Sequence, residues 1–423
     1  MARGTNMKLI PALVLLAFAG TASASGFQLQ NQTGSGNGNA FAGAAATAED
    51  AGTIFFNPAG MTYLPEGHNI AAAGTILQRS LKFSNTGTNQ LNLGAGPFAL
   101  GSNGGNAGGV AFIPAGYYAY SISPALRVGL GVSPTFGNRT EYDNDFMGRF
   151  QGTMSDIQGI NINPSIAYRV NEVVSLGFGL NFTHASMEIE GAVPTGATTE
   201  GKTSYKGTDW GYGYNLGAMF QVSPSTRLGL SYRSQTKVEL DGDLKVNGTT
   251  RANGAGTKIR ATLPDTFSLA VSQKLSDRWE MLGDVTWTGW SSVPELKLDF
   301  NDGTNSAEAL GFKNTWRIGL GANYQLNDAW KLRFGVAHDK TPVPNAELRT
   351  VRLPDADRTW LSVGAKYKLS NTSSLDFGYT HIFFSGESIN RQTSVGNVGR
   401  NQFVRGNYDI SANLLSVQYN MNF

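Results

Sequence analysis

The last nine residues, Leu415-Ser416-Val417-Gln418-Tyr419-Asn420-Met421-Asn422-Phe423, alternate apolar and polar without a break and end the chain on an aromatic ring. Successive side chains of a strand point to opposite faces, so this segment carries hydrocarbon on one side and amides and a hydroxyl on the other. That division suits a strand with lipid outside and a wet lumen inside. The pattern identifies an outer-membrane β-barrel, the closed sheet in which every backbone polar group can be paired inside a bilayer.

The front of the chain agrees. Arg3 and Lys8 form a basic start, Leu9 to Ala19 an apolar run, and Ala22-Ser23-Ala24 a small-residue cleavage site. Residues 1–24 therefore read as a secretory signal peptide, too short to cross as a helix, with the mature chain expected from Ser25. No later segment is apolar enough for a membrane helix, and a mean hydropathy of −0.21 with 53 glycines in 423 residues suits strands that are oily on one face only. The absence of Cys is compatible with an oxidising periplasm. A net charge of +2, with no basic run interleaved with aromatics, argues against nucleic acid as a partner.

Working back from the last strand, a short polar phrase recurs: Ser123-Pro124-Ala125, Val170-Asn171-Glu172, Ser223-Pro224-Ser225, Ser276-Asp277-Arg278, Asn327-Asp328-Ala329 and Ser370-Asn371-Thr372. These are hairpin turns by their Pro, Asn, Asp and Ser content. Between them lie longer stretches rich in Gly, Asn and Thr, such as Ser84 to Gly108 and Asp241 to Thr257. Short turns on one side and long loops on the other define residues 67–423 as a transmembrane barrel of about fourteen strands. Trp316, Ile318, Leu320 and Tyr324 should face lipid, with Arg317, Gly319, Gly321 and Asn323 inside; Leu176, Phe178, Leu180 and Phe182 repeat the pattern. Trp210, Tyr212, Trp279, Trp287 and Trp330 fit interfacial girdles.

Residues 25–66 do not fit the barrel. Gly34-Ser35-Gly36-Asn37-Gly38-Asn39-Ala40-Phe41-Ala42-Gly43 leads through an Ala run to Asn57-Pro58-Ala59-Gly60, small and polar throughout. The glycines mimic a phosphate loop, but no strand precedes them and no Lys follows. A compact, partly helical hatch plugging the lumen explains them better.

Several phrases in order make the chain resemble the FadL-type (FadL/TodX) outer-membrane transporters of hydrophobic compounds. They are Ser25-Gly26-Phe27-Gln28-Leu29, Ala51 to Met61, Trp287-Thr288-Gly289-Trp290-Ser291, Asn314-Thr315-Trp316-Arg317, Leu353-Pro354-Asp355-Ala356-Asp357-Arg358 and Gly378-Tyr379-Thr380-His381. The resemblance spans essentially the whole mature chain. It implies a barrel plugged by an N-terminal hatch, with substrate captured in a hydrophobic pocket and leaving sideways beside a kinked third strand. On that pattern Gly26, Phe27 and Leu29 border the pocket, and Asn57, Pro58 and Ala59 are the hatch signature. Ser133, Pro134, Thr135, Phe136 and Gly137 fall where the family kinks inward; Pro134 cannot donate to a ladder and Gly137 tolerates a bend. The resemblance also implies passive uptake of long-chain fatty acids or related lipophilic molecules, with aromatic hydrocarbons as the alternative and a general diffusion porin as the remoter one. No cofactor is expected. The expected surroundings are outer-membrane lipid and lipopolysaccharide, with the barrel-assembly machinery reading the C-terminal strand and a monomer sufficing.

Two stretches depart from the fatty-acid-binding members. Strand five reads Ala185-Ser186-Met187-Glu188-Ile189-Glu190 where those members carry basic residues, and the loop Gly191 to Ser204 is short and polar. In compensation, Phe146, Phe150 and Met154 repeat at helical spacing with Met147 adjacent, an apolar stripe that either lands substrate or pins the loop to the barrel top. By alternation Arg127, Arg227, Arg233, Arg317 and Arg333 should point inward with Glu280 and Asp284. Arg317 and Arg333 are candidates for a carboxylate head group by bidentate hydrogen bonding, and pairing with acids and hatch residues is the commoner fate of such arginines. An enzyme reading finds no support: His68, His184, His338 and His381 are scattered, and Asp143-Asn144-Asp145 lacks the Gly and distal Glu of a calcium loop, so no metal site is expected.

Overall fold

The computed structural model describes residues 26–394 and 401–423. The expected signal peptide and Ser25 lie outside them. Among the described residues fourteen antiparallel strands close into a barrel. The first six are β1 (His68–Asn85), β2 (Gly109–Ser121), β3 (Leu126–Glu141), β4 (Met154–Arg169), β5 (Val174–Pro194) and β6 (Glu200–Ser223). Four more come in two pieces each: β7 (Thr226–Arg233 and Thr236–Val246), β8 (Thr257–Leu263 and Thr266–Lys274), β9 (Trp279–Thr288 and Glu295–Asp299) and β10 (Asn305–Ala309 and Thr315–Gln325). The last are β11 (Trp330–Asp339), β12 (Arg358–Lys368), β13 (Ser373–Phe384 and Glu387–Ser394) and β14 (Asn401–Asn422). Each pairs with the next, and β14 closes on β1 from Asn69↔Asn422 to Asn85↔Gly406. His68 N donates to Phe423 O at 2.7 Å and Phe423 N to His68 O at 3.0 Å, so the chain end seals the seam.

Alternation becomes inside and outside as the sequence requires. On β14, Leu415 is 54% exposed and Ser416 fully buried. On β10, Trp316, Ile318 and Leu320 are exposed while Arg317 and Asn323 are buried. At the turn end, Trp279 lies 4.7 Å from Tyr324 and Trp330 4.6 Å from Tyr367, aromatic pairs at a membrane edge. The turn residues earn their places by accepting hydrogen bonds from the backbone just ahead. Asn171 Oδ1 takes Val173 N at 2.9 Å and Val174 N at 2.8 Å, and Asn327 Oδ1 takes Ala329 N and Trp330 N, both at 3.0 Å.

The segment before β1 fills the lumen. It folds as three single-turn helices, α1 (Gly34–Asn37), α2 (Ala44–Thr47) and α3 (Thr53–Phe56), then a 3₁₀ helix over Pro58–Tyr63. Inward glycines let it touch the wall. A Cβ at Gly217 would lie 2.1 Å from Asn57 Oδ1, at Gly229 2.0 Å from Ala45 O, and at Gly335 2.1 Å from Asn39 O. These glycines sit on β6, β7 and β11, so the wall meets the hatch on several sides and any side chain there would push the hatch away.

Candidate functional site: an apolar cavity beside an unpaired wall

Several barrel-wall arginines reach carbonyl oxygens of the hatch. Short helices leave their last carbonyls without intrahelical donors. Arg227 donates to Thr47 O at 3.0 Å, Arg233 to Phe55 O at 2.9 Å, Arg169 to Thr62 O and Arg317 to Ala40 O. Asn57 caps the 3₁₀ helix through Ala59 N at 3.1 Å, with Pro58 in its first turn, and its amide donates to Ala45 O at 2.8 Å and to Ala218 O on β6 at 3.1 Å. Arg333 is held between Glu49 at 2.6 Å and Asp376 at 2.7 Å, and Arg317 pairs with Asp284 at 3.0 Å. Burial acts to raise the Glu49 carboxyl, but Arg333, Lys331 and Lys366 outweigh it and hold the group well below the usual carboxylate range.

β3 departs from its neighbour where Pro134 stands. The β2–β3 ladder runs only from Ser121↔Arg127 to Gly116↔Val132. On their other edges, β2 keeps pairing with β1 up to Arg79↔Gly109 and β3 with β4 up to Glu141↔Met154. The β3–β4 register shifts between Pro134↔Ile160 and Phe136↔Gly159, leaving Thr135 as the extra residue of a bulge. Alternation fails there: Ser133 through Asn138 are all buried. The two limbs meet again only above, where Glu141 N donates to Ala107 O at 3.2 Å and Asp143 N to Gly104 O at 3.0 Å. The result is a stretch of wall about seven residues long, roughly 20 Å, without a β2–β3 ladder.

The N-terminal segment takes the edge that β2 leaves. Leu29 N donates to Thr135 O at 2.9 Å and Gly137 N to Phe27 O at 2.8 Å, with Gln28 opposite Phe136 as an antiparallel bridge. Gln32 Nε2 adds a bond to Pro134 O at 2.6 Å. Gly26, at φ 62°, tucks under Trp290, and its N–H donates to Asp355 Oδ2 at 3.0 Å.

On the lumen side of this segment lies a cavity of about 830 Å³, mouth included. Phe27 and Phe136, 5.8 Å apart, form one wall, and Trp290 backs Phe27 edge-on at 4.8 Å. Ala185 and Met187 of β5, Val238 and Leu240 of β7, Leu263 of β8 and Phe312 complete an apolar lining. On its charged rim, Arg260 pairs with Glu239 at 2.8 Å and Asp299 at 2.5 Å, and Arg352 lies 3.8 Å from Glu308, with Glu295 also lining the cavity. Glu188 and Glu190 of β5 pair instead with Lys206 at 3.1 Å and Lys202 at 2.7 Å on β6.

The residues singled out from sequence thus separate. Phe27 and Phe136 line the cavity; Gly26 lies by Asp355, and Leu29 packs with Phe41, Leu77 and Ile113. Asn57, Pro58 and Ala59 stand at the hatch–wall contact, and neither Arg317 nor Arg333 borders the apolar cavity. The helical spacing of Phe146, Phe150 and Met154 is not realised: residues 144–151 form turns, and Met154 opens β4. Phe146 instead stacks on Tyr142 at 4.0 Å and is fully buried with Met147 beside Phe83 and Tyr408, while Phe150 meets Phe98 at 5.3 Å. Trp290, Phe312 and Asp355 received no role from sequence; the first and last stood inside motifs already quoted.

A plugged outer-membrane barrel with an apolar chamber against a break in its wall defines a class of transport protein. The family model described as "Outer membrane protein transport protein (OMPP1/FadL/TodX)" matches residues 15–423, and the chain belongs to this family of the outer membrane. A putative outer membrane protein of Neisseria meningitidis serogroup B is 30% identical over 89% of this chain and 90% of its own length. The long-chain fatty acid transport protein of Escherichia coli K12 is 27% identical over 82% of this chain and 84% of its own. Among solved structures, a Pseudomonas aeruginosa FadL homologue superposes with a TM-score of 0.85 at 23% identity, covering 94% of this chain and 100% of that one. The toluene transporter TbuX of Ralstonia pickettii gives 0.68 at 17%, covering 93% and 99%. At these identities both structures establish the fold.

Proposed function

We propose that this protein is a passive uptake channel for hydrophobic compounds, which are captured in the apolar cavity and released sideways between β2 and β3 when residues 27–29 leave β3. The pairing of that segment with the strand edge β2 has abandoned carries the reading. The magnitudes are compatible. Two backbone hydrogen bonds at ~1 kcal/mol net each, plus the burial of Phe27 at ~2 kcal/mol, hold the segment with a few kcal/mol. An acyl chain of about a dozen CH₂ groups gains roughly 10 kcal/mol gross on leaving water, enough to compete. A sideways exit also spares an oily chain an aqueous pore, and the hatch that fills the lumen disfavours a general diffusion porin.

Relatives are named for long-chain fatty acids and for toluene. Long-chain fatty acids or related lipophilic molecules are the first reading. The apolar β5 wall at Ala185 and Met187 favours aromatic hydrocarbons as the second. Uptake of labelled oleate and labelled toluene, by cells lacking their own channel and supplied with this one, separates them. In the same assay Phe27→Ala should weaken capture about tenfold, ~1.4 kcal/mol. Unchanged titration by Phe27→Ala would remove Phe27 from the pocket, and uptake of neither compound would overturn the transport reading.

A further inference from the structure

The wall has a second break, between β8 and β9. Their lower pieces pair from Lys274↔Glu280 to Thr266↔Thr288, and one bond follows, from Gly289 N to Asp265 O at 2.9 Å. The ladder resumes only at Ile259↔Leu298 and Lys258↔Asp299. In between, among the described residues, the two limbs share no register pair. Each stays paired on its far edge, Leu263 with Thr236 of β7 and Glu295 with Ala309 of β10. Pro264 has no N–H to give, and β9 turns away through the 3₁₀ turn Trp290–Ser292. The seam runs from Arg260 to Pro264, roughly 15 Å of strand. It begins just beyond Trp287 and Trp316, register partners at the outward edge of the membrane.

Both limbs of the seam line the apolar cavity: Arg260, Ala261 and Leu263 from β8, and Val293, Glu295 and Leu296 from β9. The Arg260 side chain is 60% exposed and Glu295 is exposed as well, so the cavity reaches the outer surface here. The same cavity carries Phe27 and Phe136 at the break beside β3, so one apolar chamber touches both breaks. From above it is roofed. The β11–β12 loop contributes Thr350, Arg352 and Leu353 to the lining, and Arg352 donates to Met154 O at 3.2 Å and Glu190 O at 3.3 Å. Tyr142 adds a bond to Val351 O at 3.0 Å. The seam itself is tied by side chains, Arg260 to Asp299 at 2.5 Å and Ser292 Oγ to Thr262 O at 3.2 Å. An exposed ion pair is a weak tie compared with a strand ladder.

We propose that the β8–β9 seam is the port through which a hydrophobic compound enters the cavity from the outer surface, with Arg260 and Asp299 as its latch. The port rests on the uptake reading above and adds the side of entry to it, the break beside β3 being left for release. An apolar compound would pass from the membrane boundary into the chamber without crossing the roof.

The test closes the seam reversibly. Arg260→Cys/Lys297→Cys sets thiols on the two limbs, one step beyond Ile259↔Leu298, in a chain with no other Cys. Joining them with a bismaleimide that carries a cleavable disulfide should slow initial uptake of labelled oleate and labelled toluene about tenfold or more, and cleavage should restore it. Equilibrium binding of oleate to the linked protein in lipid nanodiscs should stay within about twofold of the unlinked form, because a closed port slows entry and exit alike. A linked channel as fast as the unlinked one, or a loss of affinity that matches the loss of uptake, would overturn the port and leave the uptake reading standing. Arg260→Gln, which cuts the latch alone, should speed oleate association with the purified protein severalfold; an unchanged or slower rate would count equally against the port. Uptake of neither compound by the native channel would instead end the uptake reading.

Discussion

Glu49 shows how much one side chain carries inside this lumen. It stands 2.6 Å from Arg333 and 3.0 Å from Lys331, with Lys366, Asp376 and its neighbour Asp50 close enough to act on the cluster. Because its carboxyl is depressed when the hatch is seated, the stabilisation it gives is complete above the ordinary Glu value of about 4.3 and is lost as pH falls through the lower seated value. Bilayer conductance should therefore stay near zero down to about that pH and rise below it, whereas Glu49→Gln should conduct at neutral pH as well. A closed Glu49→Gln channel would mean that the ion pairs do not hold the hatch. At this scale sequence reading is uneven. Phe27 is legible through the resemblance that Ser25-Gly26-Phe27-Gln28-Leu29 carries. Trp290 and Phe312, which complete the apolar wall about it, come from chain more than 260 residues away, and no local period marks them.

β3 is the element on which the reading turns. Its first half alternates and pairs as any barrel strand; the stretch from Ser133 to Asn138 is buried on both faces. Pro134 and the extra residue Thr135 cause the change, the one by lacking a donor and the other by breaking the register with β4. Deleting Thr135 should restore a continuous β3–β4 ladder and let β3 rejoin β2. The barrel should stay folded by heat-modifiable mobility while uptake of hydrophobic substrate falls to that of cells without the channel. Undiminished uptake would show that release goes elsewhere. Strands such as β5, β10 and β14 were legible because lipid and lumen impose a strict period of two. The turns over residues 144–151 were not: Phe146, Phe150 and Met154 repeat at helical spacing by chance of loop packing, one ring stacked on Tyr142 and another against Phe98.

The whole molecule is a closed sheet that would be an open pore were its lumen not filled. Fourteen strands and the sidedness of turns and loops follow from alternation and turn chemistry, which are local properties of the chain. The fit of hatch to wall is not local. Gly335 stands more than a hundred residues from Gly217 and Gly229, yet all three meet one plug, and only the closed barrel brings them together. The same closure sets residues 27–29 against β3 and so joins capture to release. Gln28 and Phe136 face each other as a pair whose flanking residues make the hydrogen bonds, the geometry in which Cα atoms lie about 4.5 Å apart and a disulfide can form. The chain has no other Cys to compete. Uptake of a labelled hydrophobic compound through a Gln28→Cys/Phe136→Cys channel, before and after reduction, is the most direct measurement. Gating by this segment requires that the oxidised channel be silent and that reduction restore uptake; an oxidised channel that passes substrate as fast as the reduced one would contradict it.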